Sequence, residues 1–391
     1  MRLLARSVRG IEWLLAAEIR AQGAAVSSIG HRVVEFSVAG EPSDGQLRLG
    51  CADDVFLFVG ELRGVDHRRA SLAALTQATA RMPLGQTLAT LSSLRAAPLG
   101  PQFTVVASFL GARNYNRYEA EAAVAESIAK ATGLNYESSR EGAPGRPVLT
   151  FRVHLVEDAA SLSLRVFEEP LHRRRYKQRS YPGTLHPPLA RAMALLAGLG
   201  TNATVLDPFC GVGTLLLEAR LLEHSAQCHG VDIDAGRLSA ARENAELAGV
   251  SINLVGGDAA QLPFEGSTFE RVLTNLPWGV AVEPEGALKL GSGGLFWREL
   301  ARVLRSDGRA IVLTDPKTAL AAAVRESELS LLLRFRVSLF GQYPELWVLG
   351  ARDAINARER SPIVRGARFG PELSESLPFA EPLSLDFGAE T

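Results

Sequence analysis

Cysteine is scarce in this sequence. Its 391 residues hold three, Cys51, Cys210 and Cys228, too few and too scattered for a disulfide framework or a zinc site. The seven histidines show no metal-ligand spacing; the nearest pair, His224 and His229, has only Cys228 beside it. No metal is expected. Long apolar runs are missing as well. None approaches the ~20 residues needed to cross a bilayer. The apolar pieces of residues 1–16 are broken by Arg2, Arg6, Arg9 and Glu12, so neither a signal peptide nor a membrane anchor is expected, and a cytoplasmic location is. Gly and Pro make up about 14 % of the chain, well below the ~25–30 % of low-complexity sequences. Net charge is also nearly absent, at −1, which by itself argues against a nucleic-acid binder.

What is present is ordinary globular material, 47 % hydrophobic and 22 % charged, in a length that suggests two or three domains at ~150 residues each. The small net charge conceals an imbalance. Residues 1–180 hold 23 Lys and Arg against 18 Asp and Glu; residues 181–391 hold 19 against 25. A basic front and an acidic back suggest two tasks.

In the front half, Leu3–Val8 reads as a strand and the spacing of Ile11, Leu14, Leu15 and Ile19 predicts a helix stopping near Gly23. Strands are expected at Val26–Ile29, Val33–Val38 and Val55–Val59, which makes residues 1–65 a small α+β domain. Two helices over 70–98, a strand at Gln102–Phe109, a helix at Glu119–Ala131 and strands at Val148–Leu155 and Ser161–Val166 describe a second, 66–168. A basic run follows, with Arg173, Arg174, Arg175, Lys177 and Arg179, and then a helix over Leu189–Leu199. Residues 169–200 read as a linker whose charges could meet phosphates. From Thr204 strands and helices alternate as in a doubly wound α/β sheet. That domain is expected over 201–354, with a peripheral or disordered tail at 355–391.

The chemistry lies in four strand ends. Thr204–Thr214 reads T-V-L-D-P-F-C-G-V-G-T, a strand closed by Asp207 and Pro208 and turned through Gly211 and Gly213 into a helix at Thr214. It is neither G-x-G-x-x-G nor a phosphate loop, and its acid suits a cationic ligand better than a pyrophosphate. About 25 residues on, Gly230-Val-Asp-Ile-Asp234 sets Asp232, with Ile233, where a ribose diol can be held. Gly257-Asp-Ala259 follows the next strand, and Asp258 with the Ala259 N–H could meet an adenine edge. Thr274-Asn-Leu-Pro-Trp-Gly279 closes the fourth.

This order of motifs resembles the class I S-adenosylmethionine-dependent methyltransferases that act on exocyclic amino groups, and Asn275-Leu-Pro-Trp-Gly279 is more similar to the guanine-N2 than to the adenine-N6 branch. Arg9–Glu18 and Leu171–Tyr176 look like the ends of the N-terminal region of THUMP-domain RNA methyltransferases, and Arg175–Met193 is similar to the linker of their tRNA guanine-N2 branch. The resemblance implies a Rossmann-like methyltransferase domain with a mixed seven-stranded sheet, preceded by ferredoxin-like and THUMP domains. It implies S-adenosylmethionine as cofactor, held by Asp207, Pro208, Gly211, Gly213, Thr214, Asp232, Ile233, Asp258 and Ala259. RNA, foremost tRNA, is the expected partner, bound by a monomer.

A guanine amino group is a poor nucleophile, so the enzyme must position it, an effect worth ~7–11 kcal/mol. The expectation is that the Asn275 side-chain oxygen and the Leu276 carbonyl accept its N–H bonds, that Pro277 stiffens the loop and that Trp278 stacks on the base. The same residues are compatible with an rRNA guanine-N2 or nucleic-acid adenine-N6 methyltransferase, and a catalytically inactive RNA-binding protein is the alternative of another class.

Overall fold

The computed structural model describes residues 1–138, 140, 148–277, 293–315 and 327–351. Trp278 and the expected tail lie outside these described residues. In chain order the elements are β1 (Arg2–Arg6), α1 (Glu12–Ala21), β2 (Ala25–Gly30), β3 (Val33–Ser37), α2 (Asp44–Leu47), β4 (Asp54–Arg63), α3 (Ser71–Ala80), α4 (Leu84–Leu94) and β5 (Gln102–Leu110). There follow α5 (Arg117–Thr132), β6 (Asn135–Tyr136), β7 (Leu149–Val156), β8 (Ala159–Arg165), α6 (Pro187–Ala197), β9 (Thr204–Asp207), α7 (Thr214–Leu222), β10 (Gln227–Asp232) and α8 (Ala235–Ala248). The last are β11 (Asn253–Gly256), β12 (Phe269–Asn275), α9 (Gly293–Val303), β13 (Leu304–Thr314), β14 (Leu329–Arg336) and β15 (Glu345–Ala351). Among the described residues no helix is long and apolar enough to cross a membrane.

The chain divides into two compact units. One comprises residues 1–6 and 22–171; the other takes 7–21 and the described residues from 172 on. The first is built on one sheet of eight strands in the order β2-β3-β1-β4-β8-β7-β5-β6. The boundary expected at 65/66 therefore runs through a continuous sheet, because β4 pairs antiparallel with β8 from Phe56–Arg165 to Arg63–Ala159. Strand alternation sorts its two faces. Along β7, Leu149, Phe151, Val153 and Leu155 are buried, and Phe151 meets Phe103 of β5 edge to face at 5.8 Å. The side chains between them include Arg152 and His154, which are only half-buried. Helix α5 is set by its ends: Asn116 and Glu119 form a reciprocal capping box, and Gly133 closes it at φ 72°.

The second unit carries a seven-stranded sheet in the order β11-β10-β9-β12-β13-β15-β14. Strands β9 to β13 run parallel, and β15 is antiparallel to both of its neighbours. This is the doubly wound sheet that the βα alternation predicts, with the mixed seven-stranded make-up that the resemblance implies. Helix α1 belongs to this unit rather than to the first α+β segment: Trp13 meets Phe335 of β14 edge to face at 5.6 Å. The boundary expected around residues 1–65 is corrected accordingly. Helix α9 and strand β14 have no counterpart in the sequence-based expectation. Helix α9 buries Phe296, Trp297 and Leu300 in the core with Phe269, Val272 and Val312. Strand β14 carries three consecutive leucines, Leu331–Leu333, across a register shift, so its hydrophobicity does not alternate.

Candidate active site

The carboxyl ends of β9, β10 and β12 open on one cavity of about 520 Å³ within the second unit. Residues of that cavity include Asp207, Pro208, Gly211, Thr214, Asp232, Ile233, Asp258, Ala259, Asn275, Leu276 and Pro277. Eight of the nine expected cofactor residues thus line one space. The ninth, Gly213, serves the turn: its φ is +82°, and an added Cβ would sit 3.3 Å from Ala241 Cβ and from Ile252 Cδ1. Gly211, at φ +51°, leaves open space where a Cβ would be, so a ligand can approach the backbone closely.

The carboxylates are held in different ways. Asp232 is buried; its Oδ2 accepts the Gly211 N–H at 2.8 Å and its Oδ1 the Asp234 N–H at 2.9 Å. These two bonds tie the β10 end to the glycine turn and leave further lone pairs for a diol. Asp258 accepts the Ala260 N–H at 2.9 Å. Asp207 is almost fully buried, and burial pushes its carboxyl up to about 8, opposed by the Phe209 N–H bond and reinforced by the Asp232 charge. Burial also raises the Cys210 thiol, so this cysteine stays neutral. Asp207 is therefore a carboxyl whose ionisation awaits a positive charge. Thr214 Oγ1 is buried without a hydrogen-bond partner among the described residues. Ile233, 59 % exposed, offers an apolar wall. A group carrying a positive charge, a ribose and an adenine fits this set.

At the β12 end, the Asn275 Nδ2 donates to the Gly183 carbonyl at 3.2 Å, while Oδ1 has no partner among the described residues. The Leu276 N–H is anchored on the Leu313 carbonyl at 3.0 Å, and its side chain is buried. Trp278 was expected to stack on a base but lies outside the described residues.

The basic run is placed differently from expectation. Arg174 pairs with buried Glu218 at 2.7 Å, and Tyr176 donates to the same carboxylate at 2.8 Å. The Lys177 ammonium donates to the Leu185 carbonyl at 2.7 Å, and burial lowers it to about 8. The Arg179 main chain exchanges two bonds with the Asn244 amide, and its guanidinium pairs with Glu243 at 2.8 Å. Arg174 and Arg179 fasten the segment to α7 and α8, and Lys177 ties it to the stretch before α6. Arg173 and Arg175 are exposed.

Residues that the motifs did not single out also line the cavity. Tyr181, Gly183 and Leu185 come from the segment before α6; Leu339, Phe340 and Gln342 come from the β14–β15 turn. Phe340 is 83 % exposed, has φ 50° and meets His186 edge to face at 5.6 Å. A bulky residue in the left-handed region is the signal for this position, and it is invisible without coordinates.

Comparisons with known proteins agree with this geometry. A family model described as UPF0020, RMKL-like methyltransferase domain, matches residues 174–344. The chain is 32 % identical over 251 residues to a tRNA (guanine(6)-N2)-methyltransferase of Thermus thermophilus, covering 63 % of this chain and 72 % of that one. It is 32 % identical over 170 residues to a U6 snRNA (guanine-N(2))-methyltransferase of Bos taurus, covering 43 % of this chain and 32 % of the relative. The crystal structure of TrmN from Thermus thermophilus superposes with a TM-score of 0.71 at 29 % identity, over 90 % of this chain and 99 % of that one.

Proposed function

Since the chain belongs to the guanine-N2 RNA methyltransferases built on the UPF0020, RMKL-like methyltransferase domain, we infer that it transfers a methyl group from S-adenosylmethionine to the exocyclic N2 of a guanine in tRNA. The observation that carries this reading is the placement of Asn275. It stands in the same cavity as Asp207, Asp232 and Asp258, with its amide nitrogen tied to Gly183 and its Oδ1 unpartnered among the described residues.

S-adenosylmethionine, when bound, supplies an electrophilic methyl on a sulfonium. Asp207 and the Gly211 turn would hold its charged amino-acid end, Asp232 its ribose hydroxyls, and Asp258 with the Ala259 N–H its adenine. The chain's own contribution to transfer is positional. The guanine nitrogen shares its lone pair with the ring, and acceptors on its two N–H bonds return density to it. Asn275 Oδ1 and the Leu276 carbonyl are those acceptors, and they stabilise the positive charge that grows on the nitrogen. An amide does not ionise in this range, so Asn275 orients rather than abstracts, and the proton that the methylated, cationic nitrogen must lose passes to water. Pro277 stiffens the turn behind them.

The two relatives share guanine N2 and differ in RNA. Preference for tRNA is supported by the higher coverage of the Thermus thermophilus enzyme. Incubation of the full chain with a labelled methyl donor and separate tRNA, snRNA, rRNA and DNA pools, followed by nucleoside mass analysis, tests both levels. N2-methylguanosine in tRNA is the expected product. N6-methyladenosine, or label in DNA alone, would overturn the reading.

A further inference from the structure

Arg174 and Lys177 are tied into the fold while Arg173 and Arg175 stay exposed, and a further group of cations could also grip RNA. The first unit holds one. On a single face of its eight-stranded sheet the register places Arg6 of β1 opposite Asp54 of β4, Phe56 of β4 opposite Arg165 of β8, and Ser163 of β8 opposite Arg152 of β7. Side chains opposite one another share a face. The Asp54 carboxylate is already taken, accepting Arg165 Nε at 2.6 Å, and Arg165 Nη1 donates to Thr150 Oγ1 at 2.9 Å.

Arg6 and Arg152 are therefore left as the charges in excess. Two strands separate them on that face. Arg152 is held down to about 9, chiefly by burial and then by Arg6, against the attraction of Asp54 and with further repulsion from Arg165 and Arg32. Arg6 is lowered by burial and by Arg32, against Asp53 and Asp54. Arg152 Nε is buried with no hydrogen-bond partner among the described residues. His154, on the same face, is pushed down to about 4 by burial and by both arginines, so it adds no charge near neutrality; its Nδ1 is 2.7 Å from Ser108 Oγ. Gathering half-buried guanidiniums against each other costs stability unless an anion completes the set. A guanidinium fork matches a phosphate in shape and charge.

We propose that Arg6 and Arg152, which flank the Asp54–Arg165 pair on one face of the sheet, form a binding site for one backbone phosphate of the RNA substrate. This assignment rests on the RNA-methyltransferase reading above, while the oxyanion site itself stands on the sheet face alone. The contact positions the RNA without reading its sequence.

The test uses the full chain, as wild type and as Arg6→Gln, Arg152→Gln and Arg152→Lys. Thermal unfolding is followed in inorganic phosphate and in chloride of equal ionic strength, and tRNA binding is titrated over a salt series. Phosphate should raise the wild-type midpoint above chloride, because a ligand of the folded state stabilises it. That increment should vanish in Arg152→Gln and survive in part in Arg152→Lys. In phosphate-free buffer the two Gln variants should unfold no earlier than wild type, since each relieves a repulsion. The affinity of each Gln variant for tRNA should fall about tenfold, and the log–log salt slope by roughly 0.7–0.9, with S-adenosylmethionine affinity unchanged. An equal phosphate increment in all variants would overturn the site. A lost increment with unaltered tRNA binding would overturn RNA as its source. Methyl transfer by the wild type, measured alongside, reports separately on the functional reading, because the phosphate increment does not depend on it.

Discussion

The side-chain amide of Asn275 donates to the main-chain carbonyl of Gly183 at 3.2 Å. One end of the amide is fixed by the segment that precedes α6, so the other end has a defined direction. The orientation of the proposed acceptor is thus set by a loop far away in sequence, and Tyr181 and Thr184 brace that loop through mutual hydrogen bonds at 2.9 and 2.6 Å.

Asn275→Ala removes the acceptor and keeps the cofactor carboxylates. Methyl transfer should fall by about 100-fold or more in kcat, the scale of losing one preorganised transition-state contact. Calorimetric affinity for S-adenosylmethionine should change less than about threefold, a few tenths of a kcal/mol. Equal loss of both would mean that Asn275 supports the cavity rather than the reaction.

Asp207 predicts a pH signature. Its carboxyl is raised to about 8 by burial, so below that pH the empty site holds a neutral acid. A cationic ligand favours the carboxylate, and its binding must therefore release a proton at lower pH. Affinity for S-adenosylmethionine should rise from about pH 6 to 8 and then level. Titrations in buffers of different ionisation enthalpy should record the released proton. Asp207→Asn should bind weakly at every pH without that release. A wild-type proton count of zero at pH 6.5 would refute the assignment.

Phe340 is expected to act on the RNA side. Its ring is exposed at the rim of the cavity, and the β14–β15 turn holds it at φ 50° with Gly341 beside it at φ 80°. Stacking of a base on an aromatic ring is worth ~1–3 kcal/mol. Phe340→Ala should raise KM for tRNA about tenfold, leave cofactor affinity intact, and be rescued by Phe340→Tyr. An unchanged KM would assign the ring to packing against His186.

The catalytic half was legible because each of its motifs occupies a strand end, and strand ends of a parallel sheet meet at one edge. Asp207, Asp232, Asp258 and Asn275 needed only the βα alternation to be brought together. The front half was less legible. Its two expected domains share one sheet through the β4–β8 pairing, a contact between residues about a hundred apart that no local pattern encodes. Helix α1 is buried over the consecutive residues Trp13–Ile19, but its apolar spacing does not say which unit it meets. The ties of Arg174, Lys177 and Arg179 within the run at 173–179 were hidden for a related reason. Charge counted along a chain does not reveal buried carboxylates elsewhere, and Glu218 sits inside α7 with no neighbouring acid to advertise it.

Glu218 provides the sharpest test of that correction. Its Oε1 accepts both Arg174 Nε and the Tyr176 hydroxyl, and its main-chain carbonyl accepts Arg191 Nη1 at 3.1 Å. The two charged side chains retain 15 % and 3 % of their exposure, so Glu218→Ala would take from a buried guanidinium the carboxylate it pairs with at 2.7 Å. Breaking one side of such a pair costs about 3–5 kcal/mol, and each of these corresponds to roughly 2–4 °C in a unit of this size. Arg175→Ala, at an exposed neighbour, should stay within about 0.5 kcal/mol of wild type. Differential scanning calorimetry of the two variants separates the roles. If Glu218→Ala melts where Arg175→Ala does, and Arg174→Ala instead weakens tRNA binding with a shallower salt slope, then Arg174 meets phosphate after all and the ion pair is incidental.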